Sequence, residues 1–175
     1  MKNKLKVSLV VGSWKAYTEA HNDKALGSNW LDMDDFDSIQ DIYAELKQEG
    51  FTKEELEETF IQDYECDIQL FTNCDYVSID KAFEILEKID YSQYSADEIK
   101  AFYEIGNDID DIDNYELYLY PNCETLSDLA YEFVQEGLYG NIPDNIANYI
   151  DYEAMGRDLG FDSFYETSKG ILEVR

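Results

Sequence analysis

The chain has 175 residues, 45% of them hydrophobic and 15% aromatic; that is enough apolar area to bury a sizeable core, which excludes an intrinsically disordered acidic chain. Forty Asp and Glu against thirteen Lys and Arg leave a formal net charge of -27, more than solubility requires and costly through self-repulsion in a compact state. Such a surface repels nucleic acid and anionic membrane, so the expected partners are basic surfaces, including the phosphate-binding channels of DNA enzymes.

Leu5, Val7, Leu9 and Val11 alternate with Lys6, Ser8 and Val10, which predicts an opening strand with one strongly apolar face. A long polar loop through His21 and Gly27 follows, and residues 29–33 read as a return strand. The acidic turn at 34–37 leads into a helix whose apolar face is Ile39, Ile42, Tyr43 and Leu46, ended by Gly50. Thr52 starts another helix, and Glu55 completes a capping box in which each side chain satisfies the other's free backbone donor. Residues 66–71 read as a strand that closes a small sheet with the first two, giving an N-terminal α/β domain over 1–75.

A central helical domain is expected over 76–113. Ser78 starts a helix with Ile79, Ala82, Phe83 and Leu86 inward, and Ser95 caps another holding Ile99, Phe102 and Tyr103, ended by the acidic segment 107–114. A C-terminal α/β domain over 114–175 opens with a tyrosine-rich strand at 115–120, stopped by Pro121. Thr125 or Glu124 leads into a helix with Leu126, Leu129, Ala130, Phe133 and Val134 inward, ended by Gly137. Pro143 fits the first turn of a further helical stretch, broken near Asp151 and finished before Gly160. Residues 164–167 and 171–174, joined through Lys169 and Gly170, form a final hairpin. The fold class is α+β, with no internal repeat and no low-complexity linker.

Cys66, Cys74 and Cys123 are odd in number and show no CxxC spacing, which predicts free thiols buried as small apolar residues in a reducing compartment. The apolar run at 9–11 is too short for a signal-peptide core or a membrane span, so an intracellular, cytoplasmic protein is expected.

The negative charge is not a tail. Residues 1–75 hold 17 acids and 7 bases, residues 76–113 hold 11 and 3, and residues 114–175 hold 12 and 3. Duplex DNA carries one charge per about 1.7 Å of axis, so this charge matches about 46 Å of duplex. A compact chain of this length is about 40 Å across, a comparable charge per unit length. The candidate DNA-mimicking carboxylates are Asp32, Asp34, Asp35 and Asp37, then Glu54, Glu55, Glu57 and Glu58, then Asp108, Asp110, Asp111 and Asp113. Taken alone, the four glutamates read as a solvated helix face; the distribution over the whole chain is what favours mimicry.

No catalytic site is expected. The single histidine, His21, lies beside Asn22 and Asp23 in a polar loop, and any triad would depend on it. Cys66 and Cys74 are eight apart with no second His to complete a zinc set. The stretches 32–37 and 108–113 invite a calcium reading, but Phe36 and Ile112 fall where the third ligand of an EF-hand belongs, and neither stretch has the turn glycine and distant glutamate in register. No metal and no cofactor are expected, and no Gly-rich phosphate loop is present.

From Phe133 the chain reads FVQEGLYGNIPDNIANYIDYEAMGRDLG. In Glu136, Gly137, Tyr139 and Gly140, then Tyr149, Ile150, Asp151, Tyr152 and Glu153, then Gly156, Arg157, Asp158 and Leu159, it resembles the C-terminal region of the ArdA antirestriction family. The resemblance implies an elongated, curved homodimer of three small domains that imitates bent B-form DNA. It implies an inhibitor of type I restriction-modification enzymes, carried on mobile elements or phage to evade host defence and seated in the DNA groove of the methyltransferase core. Inhibition of another DNA-binding defence complex, such as a CRISPR effector, and divalent-metal binding are the alternatives. Within the motif, Arg157 is expected in an ion pair, Gly137, Gly140 and Gly156 in turns or close helix packing, and Tyr149 and Tyr152 in a core. Tyr115, Tyr118 and Tyr120 are candidates for a dimer edge, with a plain core strand the competing reading.

Overall fold

The computed structural model describes residues 4–19, 27–71 and 73–175. The fold is α+β, with two small sheets and several helices, and the chain divides into two compact units, Met1–Ser92 and Gln93–Arg175. The boundary separates the two helices that the sequence reading groups into one central section.

In the first unit, strand β1 (Val7–Ser13) lies between β2 (Leu31–Asp32) and β3 (Thr59–Cys66) in an antiparallel sheet. Val7, Leu9 and Val11 are buried, as the alternation predicts. The opening strand runs on to Ser13, where the Ser13 hydroxyl accepts from Ala16 N–H and starts the short helix α1 (Trp14–Thr18) inside the expected loop. Trp14 stacks on Phe60 at 4.3 Å between ring centroids, and that contact anchors the turn. His21 and residues 20–26 of that loop lie outside the described residues. The expected return strand shrinks to two residues, because Asp32 accepts from Asp34 N–H at 3.1 Å and turns Met33–Asp35 into a 3-10 helix.

Helix α2 (Ile39–Gln48) is capped by Ser38 and buries Ile42 and Leu46. Helix α3 (Lys53–Leu56) carries the predicted capping box of Thr52 and Glu55 but lasts one turn. The third strand is Thr59–Cys66, not the expected 66–71. The apolar residues of the pair β1–β3 explain it. Phe60 and Ile61 pair with Gly12 and Val11, and a Cβ on Gly12 would come within 2.5 Å of the Phe60 ring, so the chain turns extended where that ring fits. Gln62 is the extra residue of a bulge at Val10 and Val11. Leu70 and Phe71 are buried outside any strand, with Phe71 edge-on to Tyr64 at 4.9 Å. Helix α4 (Ile79–Tyr91), capped by Ser78, packs on β3 and buries Ile79, Ala82, Leu86 and Ile89.

In the second unit, helix α5 (Ala96–Glu104) has a full capping box of Ser95 and Glu98 and buries Ile99, Ala101 and Phe102. The acidic segment after it is a 3-10 helix, Ile109–Asn114. Ile109 and Ile112 recur every three residues, the repeat of that helix, and both are buried. Strand β4 (Leu117–Tyr120), helix α6 (Leu126–Gln135), the single turn α7 (Asp144–Ala147), helix α8 (Tyr152–Leu159) and strands β5 (Phe164–Thr167) and β6 (Gly170–Val174) complete the chain. The sheet order is β4-β6-β5, all antiparallel. Successive β6 residues Ile171 and Leu172 are both fully buried, which requires cover on both faces. α5 contacts β4 and β6, while α6 and α8 join Cys123, Phe133, Leu159 and Ile171 in a second cluster. Gly156 seats α8 against the start of α6: a Cβ there would lie 2.7 Å from Leu126 C and Ser127 N. Thr125 caps α6 through a box with Asp128, and Asp151 caps α8, at the break read from the sequence.

Candidate functional site: the acidic surface

The first unit carries 21 acids against 9 bases and the second 19 against 4, so each is acidic in its own right. Local geometry turns these acids outward. In 108–113 the two isoleucines point inward and Asp108, Asp110, Asp111 and Asp113 are all exposed. In 32–37 Met33 is buried, Phe36 half-buried, and Asp32, Asp34, Asp35 and Asp37 exposed. Glu54, Glu57 and Glu58 are exposed on and beside α3, and Glu55 is half-buried. The first eight of the twelve candidates belong to the first unit and the last four to the second.

Several of these carboxylates also hold the backbone. Asp32 accepts from Asp34 N–H and Asp108 from Asp110 N–H, each starting a 3-10 helix. Glu55 accepts from Thr52 N–H at 2.7 Å; Asp111 instead accepts from the Asn114 side chain at 3.4 Å, and Glu57, at the end of α3, lies 3.9 Å from the Lys53 side chain. Acids at helix starts therefore shape the turns and leave their charge in solvent.

Other acids are held by specific hydrogen-bond partners; of these Glu173 is buried, Asp90 half-buried, and Asp80 and Asp128 exposed. Glu173 in β6 is 4% exposed; it accepts from Tyr120 Oη at 3.1 Å and from Arg175 Nε at 2.5 Å. Burial and this carboxylate push the Tyr120 phenol up to about 12. Asp90 accepts from the Lys4 N–H at 2.8 Å, yet burial lifts its carboxyl above the usual carboxylate range. Asp80 accepts from Tyr43 Oη at 2.6 Å, and burial together with that carboxylate raises the phenol. Asp128 goes the other way: the hydroxyl and N–H of Thr125 hold it below the usual range.

The motif segment is more superficial than the sequence suggests. From 135 to 151 no residue is buried, although the stretch includes Leu138, Tyr139, Ile146 and Tyr149. Tyr149, expected in a core, is 85% exposed; it follows the one-turn helix α7, which buries nothing of its own. Tyr152 is half-buried against the second cluster, edge-on to Tyr131 at 5.2 Å. Gly137 and Gly140 have φ of 78° and 87°, the turns expected of them, and Gly156 is the close-packing position. Arg157 is exposed, and among the described residues no carboxylate lies within ion-pair distance of it, so the expected pair does not form. Its neighbour Asp151 is turned to Ala154 N–H as the cap of α8.

Of the tyrosine-rich segment, Leu117–Tyr120 forms an edge strand of the sheet. Tyr118 is exposed beneath the Arg175 guanidinium at 5.1 Å, Tyr115 packs near Phe102, and Tyr120 turns inward against Phe133 and Phe164. Tyr118 and Tyr120, two apart on β4, face the same side of the sheet and meet Arg175 and Glu173 respectively, while Tyr115 lies before the strand. All three cysteines are free thiols; Cys123 is fully buried, Cys66 and Cys74 half-buried. Among the described residues no three His, Cys, Asp or Glu side chains converge as metal ligands do, and no helix is long and apolar enough to cross a membrane.

An α+β chain whose exposed acids line the turns and helix starts of both units is an acidic surface protein. The antirestriction protein (ArdA) family model matches residues 10–173, nearly the whole chain, and the protein belongs to that family. Membership implies an antirestriction function and an interaction with restriction-modification enzymes, in a family of inhibitors rather than enzymes. No curated protein matches the chain.

Proposed function

We propose that the protein is a DNA mimic that inhibits type I restriction-modification enzymes by occupying the DNA groove of the methyltransferase core. The observation that carries this reading is the distribution of exposed carboxylates over both units of an antirestriction family member. Lys and Arg that normally neutralise phosphates meet Asp and Glu instead, and the counterions of both surfaces are released. An inhibitor that imitates a bent duplex spares the enzyme the cost of bending DNA. The binding energy is shared by many carboxylates, none of them catalytic.

The proposed active form is an elongated, curved homodimer of three-domain chains, acting in the cytoplasm of the host cell. The unburied segment at 135–151, with Leu138, Tyr139, Ile146 and Tyr149 exposed, supports an interface there, because apolar side chains gathered in one stretch favour a covering partner. The edge strand β4 is the second candidate.

The test is competition. The protein is titrated into a type I methyltransferase core bound to labelled duplex, at low and at raised salt. Displacement that weakens with salt is expected; no displacement at either salt would sink the proposal.

A further inference from the structure

In the first unit a ledge of aromatic rings lies on the face of the sheet opposite Val7, Leu9 and Val11. Gly12 follows Val11 and so turns to that face, and the Phe60 ring fills the space that a Cβ on Gly12 would take. Trp14 stacks on the Phe60 ring at 4.3 Å between centroids with 25° between the planes, and Tyr17 meets the same ring edge-on at 5.7 Å. Phe60 is buried beneath them, but Trp14 keeps 44% of its surface exposed and Tyr17 40%. One face of the indole is therefore fixed on Phe60, and the other is open to solvent.

Carboxylates stand beside this ring. Trp14 N–H donates to the Glu58 carbonyl at 3.0 Å. The Lys15 ammonium is held above its ordinary range first by Glu19 and then by Glu54 and Glu58, which places these two exposed carboxylates beside α1. The lysines of α1 and α3 are already taken, Lys15 by Glu19 at 2.7 Å and Lys53 by Glu57 at 3.9 Å. Among the described residues the side chains of Glu54 and Glu58 accept no hydrogen bond and form no ion pair.

We infer that Trp14 is a contact for an arginine of the partner protein, the guanidinium stacked on the outer face of the indole and its charge met by Glu54 and Glu58. Charge complementarity selects a cation, and the ring selects which one. A guanidinium is planar, weakly hydrated and stacks on aromatic faces, with Trp the best of them, whereas an ammonium keeps its water and gains less. This rests on the proposed function and deepens it: proteins that hold nucleic acid stack arginine planes on exposed bases as well as pairing phosphates, and an indole beside two carboxylates offers both contacts.

The experiment titrates the full chain with an oligoarginine peptide and, in parallel, with an oligolysine peptide of equal length, following the two indole N–H signals by NMR. Trp30, 49% exposed but with no ring stacked on it, is the internal reference. The Trp14 signal should shift saturably with a midpoint about threefold lower for arginine, the margin of one exposed cation–aromatic contact, while Trp30 shows no preference. Trp14→Leu, with its circular dichroism unchanged, should bind the two peptides equally. Glu54→Gln with Glu58→Gln, which leaves the ring stack intact, should raise the Trp14 midpoint for both peptides. Equal midpoints at Trp14, the same response at Trp30, or a double variant with an unchanged midpoint overturns the inference. The two readings fail separately: duplex displacement without arginine preference removes the Trp14 contact alone, and arginine preference without displacement removes the mimicry alone.

Discussion

Gly156 of α8 lies against Ser127 of α6 so closely that a Cβ would sit 2.7 Å from the Ser127 nitrogen. The obstructing atoms are backbone, which cannot rotate aside, so Gly156→Ala must push the two helices apart. A cost of about 1–3 kcal/mol is expected, as for other overpacked sites. Gly137→Ala and Gly140→Ala, where φ is positive but space is open, should cost about 1 kcal/mol each. Urea unfolding of the three variants checks the order; a silent Gly156→Ala would mean that α8 does not dock there.

Asp90 and Asp128 should give stability opposite pH dependences. Asp90 has a folded pKa raised above 3.8 by burial, so the folded state holds its proton more tightly than the unfolded chain. Its contribution is greatest below 3.8 and is lost as pH rises through the folded value. Asp128 has a folded pKa lowered by Thr125, so its contribution is present above 3.8 and is lost as pH falls through the folded value. Asp90→Asn, which can still accept from Lys4 N–H, should remove the first loss; Asp128→Ala should remove the second. Thermal melts from pH 3 to 7 would show either slope, and an unchanged profile in Asp90→Asn would rule out its burial as the cause.

Cys123 should be the last thiol to react. It is fully buried, and burial with the nearby Glu132 pushes its thiol up to about 12, so almost no thiolate is present at neutral pH. Iodoacetamide labelling at pH 8 followed by mass spectrometry should modify Cys66 and Cys74 first and Cys123 only on denaturation. Early labelling of Cys123 in the folded protein would contradict the packing of the second cluster.

What the sequence made readable was local. Thr52, Ser78, Ser95 and Thr125, read as helix starts, each accept a helix N–H in the structure, because capping depends on a few adjacent residues. The final hairpin and the core faces of α4 and α6 follow from spacing alone. The third strand was misplaced because its position depends on Phe60 meeting Gly12, nearly fifty residues earlier. Glu173 gave no signal for the same reason: its partner Tyr120 is 53 residues away. The acids of 108–113 could be named, but only the three-residue repeat of Ile109 and Ile112 turns all four outward.

Salt should act on stability and on inhibition with opposite signs. Within the free protein a net charge of -27 repels itself, and a Debye length of about 10 Å at 0.1 M screens that repulsion, so the melting temperature should rise with salt. Inhibition should fall over the same range, because binding releases counterions. Neutralising Asp108, Asp110, Asp111 and Asp113 together to Asn should raise stability at low salt, weaken inhibition, and lessen the salt slope of binding by about 0.9 for each carboxylate that stands in a phosphate position. Any one of the four changes alone should alter inhibition little. A single substitution that abolished inhibition in a folded protein, with the slope otherwise unchanged, would replace the distributed surface by one dominant contact.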